Sequence, residues 1–238
     1  METIINGFKT NRAFAVTSVL VLCLLLIAIA APVIAPYDPT HAAMKDAFLE
    51  PGAQHLFGTD KLGRDCFSRV LYGARASLTG VLVLVASVFV VGTTMGVVSG
   101  YFGGKVDMLV MRVAEVIGGL PFLPFALLLS AIIGSSVSIT VRMYLIMLVL
   151  GLLSWTGICR LVRAQILAER EKEFVVAAKA MGVREGTIIF KHILPNVLSI
   201  LLVEATLNFA TCMLTESSLS YLGFGISPPT PTWGNMLT

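Results

Sequence analysis

Charged side chains are scarce in this chain. Only 13% of its 238 residues are Asp, Glu, Lys or Arg, whereas 56% are hydrophobic, and the mean hydropathy is +0.88. A soluble domain carries about 25% charged residues, so these charges are too few to cover a water-facing surface. Lipid must therefore be part of the solvent. The net charge of +3 is small and the basic residues lie beside apolar runs, which argues against nucleic-acid binding.

The chain also lacks the spacings that bind metal ions or form disulfide frameworks. The four cysteines contain no CxxC pair, and two of them lie inside apolar runs. The three histidines, His41, His55 and His192, are scattered and give no evidence of nickel coordination. We therefore predict no metal site on this chain.

Nucleotide-binding and catalytic motifs are missing as well. Residues 100–105 superficially resemble a P-loop, but the spacing is wrong and no Ser or Thr follows Lys105. No GxSxG or HExxH sequence occurs, and no histidine lies well inside an apolar run. An intramembrane protease or lipid-modifying enzyme would need such residues at membrane depth. The sequence thus predicts a protein that is not an enzyme and binds no cofactor itself.

Five apolar segments could cross a membrane as helices of about 20 residues. They are residues 13–35, 77–98, 108–133, 144–159 and 193–214. The first segment is longer than the roughly 7–15 apolar residues of a signal peptide, although Ala28, Ala30 and Ala31 leave a weak cleavage-like pattern as an alternative. The predicted fold is therefore all-α, a polytopic bundle of membrane helices.

The stretches between these segments predict four parts of the chain. Residues 1–36 form a cytoplasmic N-terminus and the first span, and residues 37–76 a polar extracytoplasmic segment. Residues 77–217 form the membrane core with a charged loop within 160–195, and residues 218–238 an extracytoplasmic segment rich in Gly and Pro. With the N-terminus in the cytoplasm, eleven of the 17 Lys and Arg residues lie inside and six outside.

The charged inner loop carries the most specific pattern. Residues 173–181 have high helix propensity, and Gly182 should end or bend this helix because glycine reaches positive φ without steric cost. A second short helix then runs into Pro195. Two short helices at a bend predict a rigid knob that docks on another protein, with a buried docking surface of small residues around Ala178 and Gly182.

The spacing of this loop resembles the EAA loop of ABC importer permeases. The matching positions are Glu173, Ala177, Ala178, Gly182, His192, Leu194 and Pro195. Val176 stands where the name-giving Glu would be, and His192 replaces a usual Ile; both departures are similar to the oligopeptide/dipeptide/nickel branch. An ordinary amphipathic helix at the lipid surface is the alternative, but it leaves the spacing unexplained.

Two further stretches resemble the same branch. Residues 57–65 and 68–78 are similar to its GTD–GRD segment, and residues 214–225 with Pro228, Pro229, Trp233 and Gly234 are similar to the segment after its fifth span. The resemblance extends over nearly the whole chain and implies the C-type permease of the pair, with the fold of a type I ABC importer permease. A sixth span is then expected beyond Gly234, and it is absent from this sequence.

The resemblance implies half of a translocation path for small peptides, with nickel or a metal chelate as the alternative cargo. The charged loop would be a coupling helix in a groove of a cytoplasmic ATPase, and ATP-driven closure would rock the spans between inward- and outward-open states. The implied partners are a second permease subunit, two ATPases that hold ATP and Mg, an extracytoplasmic binding protein and the lipid of the bacterial inner membrane. A sensor or an assembly scaffold would leave the loop spacing unexplained.

Small residues repeat every four positions on the second predicted span. They are Gly92, Gly96 and Gly100. Such a ridge lets two helices approach closely in lipid and predicts helix packing with an unidentified partner. Ahead of this span, Asp60, Arg64 and Asp65 are interpreted as a local ion-paired turn, with a carboxylate or metal site as the alternative.

Two other patterns are candidates for the translocation path. Pro121 and Pro124, after Gly118 and Gly119, interrupt the third predicted span, which is typical of either a path-lining broken helix or a simple bend. The fifth predicted span places four polar residues on one face: Glu204, Asn208, Thr211 and Thr215. They predict either a polar wall of the path or hydrogen bonds between helices.

Overall fold

The computed structural model describes residues 12–133, 138–223 and 228–237. The regular secondary structure in these ranges is helical, with a single β-bridge between Thr59 and Asp65, which agrees with the predicted all-α class. The predicted cytoplasmic N-terminus at residues 1–11 and residues 224–227 of the predicted C-terminal segment lie outside the described residues. The helices are α1 (Arg12–Ile34), α2 (Cys66–Phe102), α3 (Gly104–Gly118), α4 (Phe122–Ile133), α5 (Ile139–Ser154), α6 (Thr156–Arg170), α7 (Glu173–Ala180) and α8 (Leu194–Tyr221).

Four short turns complete the described secondary structure. Two are 3₁₀ turns, Met44–Asp46 and Asn235–Leu237. The other two, Glu185–Thr187 and the wide π turn Ile188–Ile193, lead without a break into α8.

Two helices in the described ranges are long and apolar enough to cross a membrane, Cys66–Phe102 and Glu185–Tyr221. Tyr144–Ser154 and Thr156–Arg170 would make a third span if this pair, bent by 43°, crosses as one unit. The third predicted span is divided into α3 and α4 by residues 119–121, where glycine and proline were expected to interrupt it. The count of five spans therefore stays a prediction.

Contacts divide the chain into two compact units, Met1–Thr79 with Ser217–Thr238, and Gly80–Glu216. In the first unit, Trp233 packs on the beginning of α2. Its indole Nε1 donates to the carbonyl oxygen of Val70 at 3.2 Å, and its backbone N–H donates to Ser77 Oγ at 3.3 Å. Gly73 lies close to the indole, since a Cβ there would be 3.2 Å from Trp233 Cδ1.

In the second unit, α2 runs parallel to the bent pair α5–α6. Residues of α2 meet residues of the pair in ascending order: Gly80 with Met147, Ser87 with Gly151, Gly92 with Ile158, Gly96 with Val162 and Gly100 with Ile166. Because the two run in the same direction, the C-terminal ends of α2 and α6 lie at the same end of the unit. The α2–α3 turn and the α6–α7 turn are therefore neighbours.

Helix α3 completes this packing. Ala114 of α3 is buried with Trp155 and Cys159, and Val91 of α2 and Met111 pack against them. The charged N-terminal turn of α3 thus lies beside the C-terminal half of α6, which positions the ion pair described below.

Candidate functional site

The predicted bend lies between α7 and the turns that lead into α8. Helix α7 ends at Ala180, and Gly182 adopts φ of 76°, the left-handed conformation that favours glycine. The N–H of Gly182 donates to the Lys179 carbonyl at 3.0 Å, and the N–H of Val183 donates to the Ala178 carbonyl at 3.1 Å. These bonds satisfy the last carbonyls of α7 and turn the chain back toward α8. Residues 173–195 are called the coupling segment below.

The inner side of the coupling segment is a small apolar core. Its buried side chains are Val175, Ala178, Ile188, Ile189 and Ile193. Helix α7 packs on the π turn through this core, so the two halves of the segment form one packed body.

The outer side of the same segment exposes large apolar side chains. Phe174 is 43% exposed, Val176 54%, Met181 75% and Phe190 72%. Single exposed apolar residues are ordinary on a protein surface, but several on one short segment are typical of an interaction site. Basic residues lie among them, and Lys179, Arg184 and Lys191 are all exposed.

The seven residues of the EAA-like pattern differ in exposure. Glu173, Ala177, Gly182 and Pro195 are exposed, whereas His192 and Leu194 are half-buried. Ala178 is only 4% exposed within this chain alone. Its methyl group fills the core beneath α7, and the predicted role of Ala178 in docking on an ATPase stays a prediction. Its neighbour Ala177 is the exposed member of the pair.

The junction of the segment with α8 is tied to the end of α6. Asn196 Nδ2 donates to the His192 carbonyl at 3.0 Å and reaches Glu169 Oε2 at 3.4 Å. Glu169 is 8% exposed and also accepts a bond from Lys172 Nζ at 2.5 Å. The wide turn precedes Pro195, which has no N–H to continue the helical pattern.

Two contacts that the sequence did not indicate reach the end of α2, one from the end of α6 and one from the coupling segment. Arg170 Nη1 donates to the carbonyl oxygens of Gly100 and Tyr101 at 3.1 and 3.3 Å, which caps the C-terminus of α2. On α7, Lys179 Nζ lies 4.8 Å from the centroid of the Tyr101 ring, a cation–π distance.

An ion pair missed by sequence reasoning lies about two helical turns before Arg170 on α6. Arg163 on α6 binds Asp107 on α3 through two parallel bonds, Nε to Oδ1 and Nη2 to Oδ2, both 2.5 Å. Ser99 Oγ donates to the same Oδ1 at 2.5 Å. The bonds from Arg163, with a smaller contribution from Ser99, hold the pKa of Asp107 below its ordinary value. The pair is separated by 56 residues, so no local pattern reveals it.

The two candidate path features have simple local geometry. Asn208 Nδ2 donates to Glu204 Oε1 at 2.7 Å, and the hydroxyls of Thr211 and Thr215 donate to carbonyl oxygens one turn earlier on α8. Their role in a path stays a prediction. Pro121 lies in the break between α3 and α4, and Pro124 lies in the first turn of α4, where a missing N–H costs no helical bond.

The residues of the GTD–GRD stretch form an ion-paired turn in the first unit. Asp60 Oδ1 accepts bonds from the N–H groups of Leu62 and Arg64 at 2.9 and 3.0 Å, and Oδ2 accepts from Arg64 Nε at 2.7 Å. Arg69 Nε lies 3.5 Å from Oδ2. Burial alone would raise the pKa of Asp60, but these bonds outweigh it and the pKa is lowered.

Asp65, in the same turn, immediately precedes α2. Its Oδ2 accepts from the N–H of Ser68 at 2.7 Å, and its Oδ1 lies 2.8 Å from His55 Nδ1. This is a helix N-cap contact, which agrees with the interpretation of the segment as a local scaffold. Within the described ranges no group of three or more His, Cys, Asp and Glu side chains is placed to hold a metal ion.

Two protein families match this chain. Residues 92–238 match the family described as binding-protein-dependent transport system inner membrane component. Residues 3–51 match the N-terminal TM domain of oligopeptide transport permease C.

Curated relatives agree with these matches over almost the whole chain. A dipeptide transport system permease protein DppC of Alkalihalophilus pseudofirmus is 37% identical over 97% of this chain and 74% of its own length. A putative peptide permease protein of Brucella suis is 40% identical over 98% of this chain and 75% of its own. An oligopeptide transport system permease protein OppC of Haemophilus influenzae is 40% identical over 97% of this chain and 73% of its own.

Proposed function

This chain belongs to the binding-protein-dependent transport system inner membrane components, as an oligopeptide/dipeptide ABC permease of the C type, and we propose that it couples to a cytoplasmic ATPase through residues 173–195. It is a multi-pass permease subunit of the inner membrane. ATP and Mg would be held by two partner ATPases. A second permease subunit would complete the path, and an extracytoplasmic binding protein would deliver the substrate.

The coupling role rests on one observation, the exposed apolar side chains on a body that is packed from within. A segment that transmits force must keep its shape, and the core around Val175, Ala178 and Ile188 supplies that rigidity. A segment that docks must also offer apolar surface, and Met181 and Phe190 do so. The parallel run of α2 and α6 supports placing residues 103–105 and the coupling segment on one side of the membrane.

The proposed topology follows from that side being cytoplasmic. The N-terminus is then in the cytoplasm, residues 1–36 contain the first span and residues 37–76 lie outside. Residues 77–217 contain the core, and residues 218–238 return to the outer side. A reporter fused after residue 105 is expected to show a cytoplasmic location, and one inserted after Gly52 an extracytoplasmic one.

Small peptides are the proposed cargo. The relatives are named for dipeptide, oligopeptide and peptide transport, which supports peptides over the nickel or metal-chelate alternative. Uptake into proteoliposomes that contain the complete transporter decides between them. We expect accumulation of a labelled di- or tripeptide that requires ATP, and no ATP-dependent accumulation of nickel.

A cysteine cross-link tests the docking of the coupling segment. Met181→Cys places a thiol at a 75% exposed position, and a short bifunctional reagent should join it to the ATPase in isolated membranes. Lys105→Cys, exposed on the neighbouring turn, is the matched control and should react less. Equal yields at both positions, or none at Met181→Cys, would contradict the docking role.

A further inference from the structure

We propose that the Asp107–Arg163 ion pair is a positioning contact that makes α2, α6 and the coupling segment move as one lever. This inference rests on the proposed coupling function and adds the route by which a movement of α7 reaches a membrane-spanning helix. Asp107 and Arg163 touch neither substrate nor ATPase in this proposal. They hold α3 and α6 in register, and Ser99 of α2 binds the same carboxylate.

The first support is the contact between the helices, here called the glycine seam. It consists of Gly92, Gly96 and Gly100 on α2 against Ile158, Val162 and Ile166 on α6. A Cβ atom on any of these glycines would lie 2.6 to 2.8 Å from a Cβ atom of α6. Helices this close cannot slide or rotate without a clash, because both surfaces interlock every four residues.

The second support is the geometry of the ion pair itself. Two parallel bonds between a guanidinium and a carboxylate fix direction as well as distance. The two side chains are 31% and 20% exposed, so both are partly shielded from water. Asp107 is on α3 and also accepts a bond from Ser99 on α2, so one carboxylate joins three helices.

The third support is the continuity from this pair to the coupling segment. Arg163 and Arg170 are seven residues apart on α6, and Arg170 binds the carbonyl groups at the end of α2. Only Glu171 and Lys172 separate α6 from α7, and Lys179 of α7 returns to Tyr101 of α2. A displacement of α7 by an ATPase would therefore pass to α6 and α2 together rather than bend the connection.

The test measures peptide transported per ATP hydrolysed by the complete transporter in proteoliposomes. For Asp107→Asn, which keeps the shape and removes the charge, we expect this ratio to fall by at least about fivefold, the lower range of coupling between sites. ATP hydrolysis and the amount of assembled complex should persist. Asp107→Glu should recover much of the ratio, and so should the exchange Asp107→Arg with Arg163→Asp.

A second ion pair on α3 provides the matched control. Arg112 Nη1 lies 2.9 Å from Glu115 Oε2, but both side chains are exposed and belong to the same helix. Glu115→Gln removes a charge from α3 without opening a contact between helices, and should leave the ratio unchanged. An unchanged ratio in Asp107→Asn, or an equal fall in Glu115→Gln, would overturn the proposal.

If Asp107→Asn fails to assemble, the distance between two spin labels in the otherwise native protein tests the proposal instead. Spin labels at Met95 on α2 and Ala164 on α6, both exposed positions, should keep one distance with and without ATP and substrate. A change in this distance between labels during the transport cycle would show that α2 and α6 move separately and would overturn the proposal. Failure of the ATPase to cross-link to Met181→Cys would instead contradict the proposed function, whatever these labels show.

Discussion

Gly96 and Val162 are in such close contact that a Cβ atom on residue 96 would lie 2.6 Å from the Cβ atom of Val162 and 2.8 Å from the carbonyl oxygen of Cys159. Real side chains do not approach so closely, so no larger residue fits without moving a backbone. The contact explains why a repeat of small residues lies on an otherwise apolar helix. In lipid, packing replaces the hydrophobic effect as the force that holds helices together.

Gly96→Ala is expected to destabilise the protein. Overpacking of a close contact costs roughly 1–3 kcal/mol, which exceeds the gain in helix propensity of about 1 kcal/mol. The measurement is the thermal unfolding midpoint of the purified subunit in detergent. Gly157→Ala is the control: it is also in a helix, its Cβ would meet nothing within 4 Å, and its midpoint should stay equal or rise.

The two alanines of the coupling segment are expected to respond differently to aspartate. Ala177→Asp adds a charge to the exposed surface and should abolish ATPase binding while the segment keeps its fold. Ala178→Asp places a carboxylate in the core beneath α7, where an unpaired charge costs several kcal/mol, and should open the segment. Limited proteolysis separates the two outcomes, since only Ala178→Asp should become cleavable around residue 182. Cleavage of both variants to the same extent would argue against the outward position of Ala177.

The left-handed bend predicts a graded effect at residue 182. Gly182→Ala should strain the backbone by about 1–2 kcal/mol, whereas Gly182→Asn should cost less because Asn tolerates this conformation. We expect transport per ATP to fall most in the alanine variant. Gly186→Ala, also with open space around its Cβ but no positive φ, should behave like the native protein. An alanine at 182 without any effect would show that the bend is not needed for coupling.

Acid should loosen the GTD–GRD turn. Asp60 and Asp65 both have a folded-state pKa below their ordinary value of 3.8. A lowered pKa means that each carboxylate stabilises the fold at pH values above the ordinary pKa of 3.8. This stabilisation is lost as the pH falls below 3.8 toward the folded-state pKa. Hydrogen exchange of the Leu62 and Arg64 amides should therefore be protected at pH 5 to 8, after correction for intrinsic rates, and lose protection below about pH 4.

Asp60→Asn is the variant that checks this assignment. It should lower the stability of the turn at neutral pH by roughly 1–3 kcal/mol, since the half-buried side chain loses the charge that pairs with Arg64. It should also reduce the loss of amide protection at low pH. Glu50→Gln, on an exposed residue of the same unit, should leave both properties unchanged.

Local sequence patterns predicted those parts of the fold that depend on neighbouring residues. The helix from Glu173, its end near Gly182 and the interruption ahead of Pro121 all follow from backbone preferences within a few residues. The burial of Ala178 rather than Ala177 did not follow, because helix propensity does not say which side of a short helix faces a core. The pairing of Asp107 with Arg163 could not be predicted from local patterns either, since it depends on how α3 packs on α6.

The sequence by itself determined that this chain lies in a membrane, that it is helical and that residues 173–195 resemble the EAA loop of importer permeases. Composition, helical periodicity and motif spacing are local properties, and they can be read without coordinates. Only the tertiary structure decided what the glycine repeat packs against, which face of the coupling segment is outward and which charges pair across helices. Those choices depend on the direction and register of α2 and α6, which are set by packing between residues far apart in the chain.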